Sequence, residues 1–99
     1  MLKLSSEGRR QIEELLGKIA DLEVQRYFSL ETLIDRVCEI LVKEGAGPSD
    51  VGIKLDETYR EVQSVIEDRR KGLKRFPSTF DNAKRVACQD IRNILPMDA

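Results

Sequence analysis

Residues 29–45, SLETLIDRVCEILVKEG, constrain the fold more than any other stretch of the chain. Leu30, Leu33, Ile34, Val37, Cys38 and Leu41 recur at spacings of three and four, which places them on one face of an α-helix. Ile40 widens that face. A helix with so broad an apolar face must be covered by several neighbours. Ser29 suits its start, because a serine hydroxyl can accept from a free N–H of the first turn. Gly45 suits its end, because glycine enters the left-handed conformation without a Cβ clash. The segment is therefore expected to be the central rod of a small helical bundle.

The flanking chain supplies partners for it. Ile12, Leu15, Leu16 and Ile19, continued by Leu22, mark a first helix that starts near Ser5 or Ser6. Gly17 lies inside it, where glycine costs up to about 1 kcal/mol relative to alanine. Residues 45–56, GAGPSDVGIKLD, interrupt the period with glycines and Pro48 and leave room for one short turn carrying Val51, Ile53 and Leu55. Asp56 is a suitable cap for a third helix with the stripe Tyr59, Val62, Val65, Ile66 and Leu73. Gly72 could end it, and Pro77 is expected to stop it in any case. Ser78 or Thr79 would cap the last helix, whose apolar positions are Phe80, Ala83, Val86, Ala87, Ile91, Ile94 and Leu95, with Pro96 closing it. No stretch reads as a strand. The expectation is an all-α fold in one domain, residues 1–99. It is a small antiparallel bundle of four main helices at about 5–25, 29–44, 56–75 and 78–95, with space for a fifth short turn near 49–55.

Composition excludes several kinds of chemistry. The chain has no histidine, which removes the commonest general base near neutral pH and the Ser-His and Cys-His nucleophile pairs. Two cysteines fifty residues apart, Cys38 and Cys88, cannot fill a zinc site unaided. The glycine-rich stretch 45–52 follows a helix rather than a strand and has neither phosphate-loop spacing. No catalytic, metal or cofactor site is expected, and an enzyme is the least favoured reading. Sparse cysteine, the absence of a secretory leader pattern at residues 1–10 and the lack of an apolar run near the roughly 20 residues of a membrane span point to a cytoplasmic protein with no membrane partner.

Charge leaves two positive features. Formal net charge is −1, but residues 1–50 carry −3 and residues 51–99 carry +2. The basic side chains concentrate in Arg69, Arg70, Lys71, Lys74 and Arg75, followed by Phe76. Such a cluster could grip nucleic-acid phosphates with Phe76 stacking on a base. It could also dock on an acidic protein surface, or simply complement a helix C-terminus, with Glu67 pairing to Lys71. The second feature is an acidic row, Glu31, Asp35 and Glu39, along the polar side of the central helix. Like charges four apart repel slightly, so the row suggests a basic partner. If that partner were the basic cluster of a second copy, the result would be a salt-sensitive homodimer. Phe28 is expected to staple onto the turn around Leu33, and Tyr59 to hold its hydroxyl in water at the core boundary.

These features favour a non-enzymatic protein-interaction module, a small adaptor, regulator or immunity-type protein that binds through charged helix faces. A nucleic-acid-binding regulator using residues 69–75 is the alternative. A death-like helical adaptor domain is a third reading, resting on size and helicity alone.

Overall fold

A computed structural model describes residues 2–96. The fold is a bundle of α-helices: α1 (Ser6–Ala20), α2 (Tyr27–Lys43), α3 (Pro48–Lys54), α4 (Asp56–Arg70) and α5 (Phe76–Ile94), with a single 3-10 turn at Val24–Arg26 before α2. Among the described residues there is no strand.

The four long helices alternate in direction, and side-chain bonds fix their register. Along α1 and α5, Arg9 donates to the Pro96 carbonyl (2.9 Å), Arg92 meets Glu13 (3.3 Å), and Lys84 donates to the Leu22 carbonyl (3.0 Å), so one helix ascends as the other descends. Along α4 and α5 the rungs are Thr58 to Asp90 (2.6 Å), Asn82 to Glu61 (2.9 Å) and Thr79 to Asp68 (2.7 Å). The start of α1 is tied to the end of α2, where the Ser5 hydroxyl donates to the Glu44 carboxylate. α2 packs on α1, α3, α4 and α5, as its broad apolar face demands. Leu30, Ile34, Val37 and Leu41 are wholly buried, while Leu33, Cys38 and Ile40 are half-buried at the margin. Ile12, Leu16 and Ile19 of α1, Val62 and Val65 of α4 and Phe80, Ala83, Ala87 and Ile91 of α5 complete one core.

Two glycines end helices as their backbone freedom allows. Gly45 has φ 107° and Gly72 has φ 66°. After each, the next N–H reaches back to satisfy a free carbonyl of the last turn: Ala46 to Leu41 (2.9 Å) and Leu73 to Asp68 (3.0 Å).

Several expected boundaries differ from those observed. The first helix stops at Ala20 rather than near 25, because Lys84 of α5 satisfies the Ala20 and Leu22 carbonyls and frees the chain to turn. α2 begins at Tyr27, so Ser29 lies inside the first turn and does not cap it. The helix expected over 56–75 ends at Arg70, where Gly72 closes it, and α5 begins at Phe76 rather than 78. Pro77 therefore opens a helix instead of stopping one: at its second position the missing N–H costs nothing and the fixed φ suits the turn. The expected turn near 49–55 is a true short helix, with Pro48 in its first turn. Buried Leu55 both ends α3 and precedes α4, so Asp56 is the first helical residue and not the cap. The Ser5 cap is as expected, with the Gly8 N–H donating to its Oγ at 3.0 Å.

Candidate functional site

The basic cluster lies at the corner between α4 and α5, and that corner is built around one buried carboxylate. Asp68 is only 2% exposed. It accepts two hydrogen bonds from the Arg75 guanidinium (Nε 2.9 Å, Nη2 3.1 Å) and one from the Thr79 hydroxyl (2.7 Å). These donors hold its carboxyl below the usual carboxylate range, Arg75 first and Thr79 next. Arg75 is thus a corner brace, although its outer surface stays in water. Lys71 and Arg70 both pair with Glu67 at 3.2 Å, as the spacing of Glu67 and Lys71 predicts. Those pairs are exposed, and exposed pairs hold little energy. Lys74 is exposed in the turn.

Arg69 and Phe76 behave differently from the rest of the cluster. The Arg69 guanidinium carbon stands 5.7 Å from the Phe76 ring centroid and 5.9 Å from that of Tyr27, within cation–π range of both. Phe76 meets Tyr27 edge-on at 5.5 Å and lies 6.3 Å from buried Phe80. Tyr27 in turn stacks at a tilt on Phe28, with centroids 4.2 Å apart. The result is a row of rings that runs from the core, through Phe76 and Tyr27, to Phe28 in solvent. Beside it, Val24, Tyr27, Arg69 and Phe76 line a hollow of about 270 Å3.

Phe28 is not a staple. It is 67% exposed, and it follows the polar line of α2 that continues through Glu31, Asp35 and Glu39. Extending that line backwards in sequence would have placed it in solvent, because 28, 31, 35 and 39 share one helical face. Leu73, expected in the stripe of the third helix, sits in the turn after Gly72 and is exposed at the same end of the bundle. Arg26, in the 3-10 turn, adds another exposed cation there.

The acidic row is partly committed to the fold. The Tyr59 hydroxyl donates to Asp35 at 2.8 Å, with Cys38 Sγ at 3.5 Å, so it is not simply in water. Burial and these neighbours push the Tyr59 phenol well above its ordinary range. Glu31 is half-buried, whereas Asp35 and Glu39 are exposed. The basic cluster and the acidic row occupy different helices, and no ion pair joins them among the described residues. Burial raises the thiols of Cys38 and Cys88, so both are held protonated. No group of three or more Cys, Asp or Glu side chains comes together as a metal site among the described residues. None of the helices is long and apolar enough to cross a membrane, again among the described residues.

Comparison with family models, with curated proteins and with solved structures yields no match.

Proposed function

We propose that the chain is a non-enzymatic protein-interaction module, and that its aromatic and basic end receives an acidic protein segment carrying an aromatic or aliphatic anchor. The observation that supports this most is the solvent-exposed Phe28 at the end of the Tyr27 and Phe76 ring row, with Arg69 over two of the rings. An exposed large ring stacked on Tyr27, which with Arg69 lines the hollow, and exposed Arg26 and Lys74 at the same end of the bundle resemble the anchor-and-rim arrangement of binding hot spots. The cations favour an acidic partner by complementarity. An adaptor, a regulator or an immunity-type inhibitor would all use this chemistry.

Nucleic acid fits less well. Phe76 is packed between Tyr27 and Phe80 and does not offer a free face, and Arg70, Lys71 and Arg75 are paired to carboxylates of α4. Those pairs reduce the cations left to meet phosphates.

Selection of a random peptide library on the immobilised protein tests the proposal. Enriched peptides should carry Asp and Glu around a Trp, Phe or Leu, and an F28A/R69E variant should lose them. Enrichment of basic peptides, or binding indifferent to F28A/R69E, contradicts it. Binding of a single-stranded oligonucleotide that collapses between about 50 and about 200 mM salt would put the nucleic-acid reading in its place.

A further inference from the structure

A second surface lies on the outer side of α1 and α2, away from α4 and α5. Two adjoining hollows, about 830 Å3 and about 340 Å3, form one open groove between these antiparallel helices. Glu14, Lys18 and Arg36 line both hollows, so the groove is continuous and these side chains stand at its centre. Half-buried Leu22 and Leu33 lie in the larger hollow and half-buried Ile40 in the smaller, whose lining is mainly polar.

Gly17 opens into the larger hollow. It sits inside α1, where glycine costs about 1 kcal/mol relative to alanine. Apart from its chain neighbours and its own helix backbone, no atom lies within 4 Å of the position its Cβ would take. The isolated fold therefore gains nothing from a glycine here, whereas a helix approaching from outside would.

The charges along the groove identify that helix. The antiparallel register that ties Ser5 to Glu44 puts Arg10 of α1 level with Glu39 of α2 and Glu14 level with Arg36, while Asp21 and Arg26 line the larger hollow from the connection between the helices. These two levels carry opposite signs on their two walls, and Lys18 adds a cation on α1 between Glu14 and Leu22. Arg36, Glu39, Asp21 and Arg26 make no ion pair among the described residues, and Glu14 pairs only with exposed Arg10 of its own helix. A two-fold axis running along such a groove sets α1 of one copy over α2 of the other at the same level. Arg10 then comes over Glu39 and Glu14 over Arg36, while Lys18 is left beside the uncharged Thr32. A surface of this kind is complementary to itself, which is what an isologous interface requires.

We propose that the α1–α2 groove is a self-association surface, occupied by the same groove of a second copy, with Glu14 of each protomer paired to Arg36 of the other and the two α1–α2 faces closing over Gly17. This surface adjoins the aromatic end at Arg26, but its central Glu14 and Arg36 lie outside that end, so the pairing does not depend on the function proposed for it.

The test is sedimentation analysis from micromolar to near-millimolar protein, with charge reversal at the groove. Wild type should dimerise. R36E and E14R should each weaken dimerisation about tenfold or more, because like charges then face one another. Mixing R36E with E14R should restore a dimer of one copy of each, since all the central pairs again have opposite signs. G17L places a good helix former at an exposed position, so it should leave the monomer folded by circular dichroism while blocking the groove. Wild type that stays monomeric throughout the range overturns the proposal. So does a dimer that survives R36E, E14R and G17L, or single variants that fail to recover when mixed.

Discussion

Asp68 shows how one residue changes the meaning of its neighbours. In sequence it stands beside a run of cations as one more surface charge. In the structure it is the buried acceptor on which Arg75 and Thr79 converge. Its carboxyl titrates below the ordinary range in the folded chain and near about 4 when unfolded. The stability it supplies is therefore fully present above the unfolded value and is lost as pH falls through the folded one. D68N should melt at a lower temperature than wild type at pH 7, and the gap should narrow progressively as pH falls below about 4. A gap unchanged by pH would contradict the ion-paired role. Phe28 makes the opposite case. F28A should alter stability by no more than about 0.5 kcal/mol, because so little of the ring is buried. A larger loss in denaturant titration would mean that Phe28 serves the fold. Cys38 and Cys88, half-buried with raised pKa values, should react with a thiol reagent far more slowly in the native protein than in denaturant. Equal rates in the two states would contradict their burial.

At the scale of elements, α2 was the most legible part of the chain. Its spacing of apolar residues fixed both its face and its central position, and Gly45 marked its end. Ile34→Ala should cost about 2–5 kcal/mol by chemical denaturation, since the side chain is wholly buried on the rod that touches every other long helix. A loss below about 1 kcal/mol would place the core elsewhere. Helix starts were less legible. Ser29, Asp56, Ser78 and Thr79 are all good caps by residue type, yet each lies inside a helix, because tertiary contacts and Pro77 set the boundaries. The corner from Lys71 to Arg75 reads in sequence as a charge cluster and is in the structure a turn closed by Gly72 and braced by Asp68. Gly72→Ala should destabilise by about 1 kcal/mol or more, because alanine is strained at φ 66°.

For the whole molecule, the all-α bundle was written in hydrophobic periodicity, but the surfaces proposed for docking were not. The ring row joins Tyr27 and Phe28, in the first turn of α2, to Phe76 at the start of α5, which only the up-and-down order of the helices brings together. The α1–α2 groove likewise depends on which side of the hairpin faces α4 and α5. Gly17 was its one trace in sequence, visible as a helix interrupter with no local reason. Both surfaces lie outside the core, so they can bind without unfolding the bundle. The aromatic and basic end is the proposed place where a partner docks. Backbone chemical-shift mapping of the 15N-labelled protein with a library-selected acidic peptide tests it most directly. The largest shifts should fall on residues 24–28, Arg69 and residues 73–76. Shifts confined to α3 or to the outer face of α1, with residues 24–28 unmoved, would contradict it.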